Sequence, residues 1–244
     1  AQILKDPEAS GNDRGVAICK SMLSWLKFGE GKTPESTGIK SDHFVGDWYV
    51  LFEQKSKAEY EIWQQTPEAK AIFESKHKPE QSEKDFFKDY KNKWANEHSV
   101  LGAEVREMLL KWEAHDPETL ALWKKMNGWV YAGFDKTYGD LGVAFDKLYY
   151  ESNTYLLGKD IVEDGLSSGV FFKKDDGSVW VDLTDAGHDQ KVVLRADGTS
   201  VYITQDLGTA RMRHAELGCE RYVYVVADEQ NYHFQVLFET LKRL

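Results

Sequence analysis

Cysteine is nearly absent from this sequence, basic charge is in the minority, and long apolar runs are missing. The two cysteines, Cys19 and Cys219, lie far apart and form no CxxC or Cys/His pattern. That excludes a disulfide framework and a cysteine-built metal site, and it reads as two reduced, buried thiols of a cytosolic protein. No metal ligands are expected. Lysine and arginine number 31 against 41 acids, for a formal charge of −10 and a pI near 5.2. No basic tail or stripe marks a nucleic-acid platform, which argues against DNA and against indiscriminate phosphate binding while leaving a local RNA contact open. No apolar run approaches the roughly 20 residues that cross a membrane, and the start carries no signal-peptide pattern, so a cytoplasmic chain is expected. The GxxxxGK[ST] phosphate loop is absent too. At 244 residues the chain is long enough for a sizeable core and one or two domains.

What the sequence does hold is helical signal. In NDRGVAICKSMLSWLKFGEG, Asn12 or Asp13 can cap a helix. Val16, Cys19, Met22, Leu23 and Leu26 fall on one face of it, and Gly29 and Gly31 end it. Lys32 to Ser41 reads as a polar loop. Asp42 starts a helix with Phe44, Trp48, Leu51 and Phe52 as its buried stripe. His43 and Asp47 sit one turn apart on it, too few for a metal site. Thr66-Pro67-Glu68 and Asp116-Pro117-Glu118 are capped starts with proline at the first helical position. Between them Phe86, Phe87, Tyr90 and Trp94 recur at helical spacing, which marks a bundle core rather than an RNA-stacking face. The segment 42–142 is therefore expected to be all helical.

An α/β pattern follows from 143 to 244. Phe145 to Ser152 looks like a strand ending in a polar switch. There Glu151 and Ser152 can line a site, and Ser152 or Asn153 can cap the next helix. Val170–Lys173 and Val179–Leu183 face each other across Asp175-Asp176-Gly177, a hairpin signal. Lys191 to Phe234 then reads as strand, turn, helix, strand and helix. Val192 to Leu194 form the first strand, and Asp197-Gly198 the turn. Thr199 or Ser200 can cap a helix from about Val201 to Leu217. Tyr222 to Val226 is apolar on both faces, as a covered strand of a parallel sheet should be. In such sheets ligands sit beyond the carboxyl ends of the strands. Tyr202 and Asp206 share a helix face, and Gln230 follows the YVYVV run. A carboxylate, a phenol and an amide gathered there suit a planar cation such as guanidinium, because a carboxylate accepts a paired hydrogen bond from it. On spacing alone the plainer use outweighs this: Asp206 complements the helix dipole and Tyr202 packs on the core edge.

Two long runs change that balance. VLRADGTSVYITQDLGTA and VYVVADEQNYHFQVLF resemble the class I arginyl-tRNA synthetases. NDRGVAICKSMLSWLKFGEG, KWEAHDPETLALWKKMNGWVYAGFDKTYGDLGV and FDKLYYES are similar to the same family, so the resemblance covers nearly all of residues 12–244. It implies that Tyr202, Asp206 and Gln230 hold the substrate L-arginine and that His233, one turn into the last helix, faces the ATP side. It implies ATP as a substrate, Mg2+ with it, and tRNA(Arg) as the macromolecular partner. The chain departs from the pattern at Ala227, where the family usually has glycine, and at Ala17, where relatives carry histidine or another polar residue. It departs again before the NDRG run, where Pro7 to Gly11 reads as loop and the family has a strand.

The family activates its amino acid with a HIGH-type and a KMSKS-type motif, and this sequence has neither. The fold expected from the resemblance is an α/β, incomplete Rossmann-like class I synthetase core with a parallel sheet, plus a large helical insertion. Its expected parts are 1–41 as the first part of the core, 42–142 as the insertion and 143–244 as the α/β core with the arginine subsite. The chain reads as the central portion of a longer arginine–tRNA ligase, supplying arginine recognition and inactive alone. The competing expectation is a stand-alone arginine-binding module without catalysis.

Overall fold

The computed structural model describes residues 13, 15–154, 157–196, 198 and 201–244. The chain divides into two compact units, Asn12–Ala144 and Phe145–Leu244. The loop-like run before NDRG, the capping by Asn12 and the capping by Thr199 or Ser200 lie outside the described residues.

The first unit is helical among its described residues. It comprises α1 (Val16–Phe28), α2 (Pro34–Thr37), α3 (Ser41–Trp63), α4 (Pro67–Lys76), α5 (Glu83–Glu97), α6 (Val100–Glu113) and α7 (Pro117–Asp140). The starts of α4 and α7 are as the sequence indicates. Thr66 Oγ1 accepts from the Ala69 amide and Asp116 Oδ1 from the Thr119 amide, each relieving an N–H that the first turn leaves unpaired. The start of α1 differs. Its cap is Gly15, with no side chain bonding the first turn. Asp13 is buried instead, and its carbonyl accepts from Trp123 Nε1 and Asn127 Nδ2 while its carboxylate accepts from the Tyr131 hydroxyl. The Tyr131 hydroxyl of α7 takes the carboxylate that would otherwise accept from a first-turn amide. Cys19, Met22 and Leu23 are buried as expected, whereas Val16 and Leu26 at the ends of the stripe are exposed. Met22 packs with Phe44, Val45 and Met126, joining α1 to α3 and α7. Cys19 and Leu23 pack with Phe52 and Val105 on the α6 side. A separate aromatic cluster gathers Tyr60, Trp63, Phe86, Phe87, Tyr90 and Trp94 from α3 and α5. The ring of Trp63 stacks on Tyr90 at 5.9 Å, and that of Trp94 lies 4.5 Å from Tyr60.

The second unit contains α8 (Glu151–Thr154), α9 (Gly158–Ser167), β1 (Phe171–Lys173), β2 (Val179–Val181), β3 (Lys191–Leu194), α10 (Tyr202–Leu217) and α11 (Asn231–Arg243). Its three strands form one sheet in the order β1-β2-β3, and both pairings are antiparallel. The β1–β2 pairing is the hairpin expected across Asp175-Asp176-Gly177, whereas the expected parallel sheet is not found: among the described residues no strand pair is parallel. The connections explain it. The β1–β2 link is a tight turn in which Gly177 takes φ of 89° and Asp176 accepts from the Ser178 amide. Residues 182–190 join β2 to β3 through a single 3-10 turn at Thr184–Ala186. Neither link is long enough for the crossover that parallel neighbours require.

Two further strand expectations fail. Phe145 to Ser152 forms only a bridge residue at Tyr150 before α8 begins at Glu151. Tyr222–Val226 forms no strand, and Val223 and Val225 are 71% and 92% exposed. A strand exists only through its ladder partners. Among the described residues this segment has none, and it lies along α11, with the Tyr224 ring 5.0 Å from Phe234 and 5.5 Å from Phe238. The core of the unit is Ile161 and Val162 of α9, Phe171, Val179, Val181 and Val193 of the sheet, and Leu183. Ile203 and Leu207 of α10 and Val236 and Leu237 of α11 complete it.

Candidate functional site

α10 is fixed from three sides. Thr204, fully buried, donates its hydroxyl hydrogen to the Val193 carbonyl and so ties the first turn to β3. The Gln205 amide reaches the Thr154 hydroxyl at 3.5 Å. Gly208 lies against the Leu157–Gly158 start of α9 so closely that an added Cβ would stand 2.6 Å from the Leu157 carbonyl carbon. These contacts leave Tyr202 and Asp206 on the remaining face, one turn apart, as the spacing indicates.

That face carries one close polar contact. His233 Nε2 lies 2.6 Å from Asp206 Oδ2, with the two side chains 27% and 39% exposed. Because a carboxylate oxygen accepts, Nε2 is the donor. The imidazole is seated on α11, edge to face with Phe234 at 5.6 Å and 89°. Tyr202 is 78% exposed. Gln230 is exposed at the end of the 3-10 turn Asp228–Gln230, which closes with its backbone N–H 2.9 Å from the Ala227 oxygen. The structure therefore brings Asp206 together with His233, and it leaves the Tyr202 and Gln230 side chains facing solvent. Spacing could not show the Asp206–His233 contact, since the two residues are on different helices and meet only through the packing of α10 on α11.

One residue earlier on α11, the Tyr232 ring lies 4.7 Å from the Lys191 ammonium, and the Tyr232 hydroxyl donates to Asp189 at 3.1 Å. The Tyr232 oxygen, more than the nearby Asp189, holds the Lys191 pKa above its ordinary value. A cavity of about 370 Å³ opens along α11. Tyr222, Tyr224, Val226, Phe234 and Phe238 are among the side chains that line it, and none of Tyr202, Asp206, Gln230 and His233 is. Among the described residues no cluster of three or more histidine, cysteine, aspartate or glutamate side chains is placed to hold a metal ion. Neither cysteine is in a disulfide. Cys19 is buried as expected, but Cys219, just past the end of α10, is only half-buried. No helix among the described residues is long and apolar enough to cross a membrane.

A small antiparallel sheet carrying one fixed helix with a part-exposed carboxylate, in a chain that also holds an all-helical unit, has counterparts among known proteins. Residues 39–244 match the family of class I (R) tRNA synthetase catalytic domains, and the chain belongs to that family. Over 233 residues it is 56% identical to an arginine–tRNA ligase of Bacteroides thetaiotaomicron and 53% identical to one of Porphyromonas gingivalis. Each match covers 96% of this chain and 35% of the relative, so the chain spans about a third of the length of these curated relatives. Among solved structures it is similar to the arginyl-tRNA synthetase of Plasmodium falciparum, with a TM-score of 0.51 and 19% identity. That likeness covers 64% of this chain and 30% of the other, and it speaks to fold alone.

Proposed function

We propose that this chain is the arginine-recognising part of an arginine–tRNA ligase. The complete protein joins the L-arginine carboxylate to the α-phosphate of ATP, with Mg2+ on the phosphates, releases pyrophosphate, and passes the arginyl group to tRNA(Arg) in the cytoplasm. Catalysis of such a transfer rests on positioning and charge stabilisation. This chain's contribution is the guanidinium end of the substrate. Asp206 supplies the negative charge, Tyr202 the phenol and Gln230 the amide. The observation that carries the reading is Asp206 itself: a part-exposed carboxylate on a helix locked to the sheet, in a chain 56% identical to an arginine–tRNA ligase.

The test uses the full reading frame that carries this chain. Asp206→Ala is expected to raise the KM for L-arginine in ATP–pyrophosphate exchange by about 30-fold or more, the loss that accompanies removal of one partner of a hydrogen-bonded charge pair. The KM for ATP is expected to stay within about twofold. The isolated chain is expected to give no exchange. An unchanged arginine KM in Asp206→Ala overturns the assignment of the subsite.

A further inference from the structure

We propose that His233 is a positioning residue for the guanidinium-binding carboxylate, acting through its Nε2 hydrogen bond to Asp206. This deepens the arginine reading of Asp206 and rests on it.

The geometry has three parts. Asp206 is carried by a helix held by the Thr204 hydroxyl on β3 and by the contact of Gly208 with Leu157. Its side chain, however, is part-exposed and rotates about two bonds, so the helix alone does not fix where the charge points. His233 supplies the missing constraint from a second helix, with 2.6 Å between Nε2 and Oδ2. The imidazole in turn is seated edge to face on Phe234, which packs against the core of the unit. The chain of support runs from core to Phe234 to His233 to Asp206.

The chemistry follows from the lone pairs. A carboxylate offers about four acceptor positions. One N–H from His233 fills a single position on Oδ2 and leaves Oδ1 and the rest of Oδ2 for a forked guanidinium. A lysine or arginine in its place would bring a competing cation into the subsite.

The experiment is steady-state ATP–pyrophosphate exchange by the full reading frame, with His233→Ala, His233→Gln, Asp206→Ala and the double variant. His233→Ala is expected to raise the arginine KM about tenfold, with the ATP KM and kcat little changed and the melting temperature retained. His233→Gln carries an N–H that reaches the same oxygen and is expected to recover most of the loss. In the Asp206→Ala background, His233→Ala is expected to add nothing, because the two act as a unit. A rise in the ATP KM with the arginine KM unchanged overturns the inference and returns His233 to the nucleotide. Independent, additive losses in the double variant overturn it as well. If Asp206→Ala changes the arginine KM and His233→Ala does not, the inference fails alone. If Asp206→Ala has no effect either, the arginine reading fails and takes the inference with it.

Discussion

In Asn12–Ala144 each long helix satisfies its own backbone, and the side chains decide only which faces meet. In Phe145–Leu244 short strands satisfy each other, and a segment without a neighbour cannot be a strand however apolar it is. Trp94 in the first unit and Tyr222–Val226 in the second make the contrast. Both are apolar and aromatic, but Trp94 is fully buried among rings while Val225 is almost fully exposed. Helical spacing is a property of one segment. Strand pairing is a property of two. The first unit should therefore respond to mutations at single buried side chains, and the second to changes at the contacts between its elements.

The largest effect is expected at Trp94. Truncation to alanine removes the ring that lies 4.5 Å from Tyr60 and 6.3 Å from Trp63, and should cost about 3–5 kcal/mol in urea unfolding. Trp94→Phe sharpens the test. The indole Nε1 is buried without a partner among the described atoms, so phenylalanine keeps ring contacts while discarding an unmet donor. It should cost clearly less than alanine. Equal losses would mean that the ring packing is not what holds α3 to α5.

Next in size is Gly208. Its replacement by alanine forces a methyl to within 2.6 Å of the Leu157 carbonyl carbon and 2.8 Å of the Gly158 nitrogen. Backbone cannot swing aside as a flexible side chain does, so α9 and α10 must separate, at about 1–3 kcal/mol. A melting curve that does not move would show that the two helices separate freely. The same substitution should weaken arginine binding, since α10 carries Asp206.

These two positions show how much is legible in the sequence. The long helices of the first unit, the capped starts at Thr66 and Asp116, and the aromatic stripe of α5 follow from local spacing and capping chemistry, and the structure contains them, whereas the short α2 lies inside the run Lys32 to Ser41 that reads as loop. The hairpin across Asp176-Gly177 is legible as well, because its turn residues state their own geometry. The direction of the sheet is not legible, since YVYVV reads as a buried parallel strand whenever its neighbours are assumed. Asp13 reads as a helix cap because the donor that takes its carboxylate, Tyr131, lies more than a hundred residues along the chain. Of the candidate site, the shared face of Tyr202 and Asp206 is visible in their spacing. The contact between Asp206 and His233 is not, for it depends on how α11 packs on α10.

A smaller effect is expected at Thr66. Its hydroxyl caps α4 by accepting from the Ala69 amide at 3.2 Å, and it also donates to the Trp63 carbonyl at 2.7 Å. Thr66→Ala should cost about 1 kcal/mol by urea unfolding. Thr66→Ser keeps the oxygen and should recover most of that. A serine variant as weak as alanine would assign the loss to the methyl group rather than the cap.

The smallest and most specific effect is a pH dependence in the second unit. Asp182 accepts from the Thr184 hydroxyl at 2.6 Å, from the Thr184 amide at 3.0 Å and from Gln190 at 2.8 Å. Those bonds, with the Thr184 hydroxyl first, pull its pKa down to about 2. A carboxylate whose pKa is lower folded than unfolded stabilises fully above the unfolded value of about 4. That stabilisation fades as pH falls through the folded value of about 2. Asp182→Asn cannot titrate, so its difference in melting temperature from the parent should narrow progressively between about pH 4 and pH 2. Because Asp182 is only half-buried and keeps contact with solvent, the change should be modest. The first unit supplies the control. Asp116 is also held below its ordinary value, chiefly by the Thr119 hydroxyl, but it caps one helix and does not join two strands. If Asp182→Asn flattens the acid limb of unfolding more than Asp116→Asn does, the link between β2 and β3 is the acid-sensitive point of the second unit. Identical acid limbs for the two variants would erase the distinction between a helix that satisfies itself and a sheet that depends on its connections.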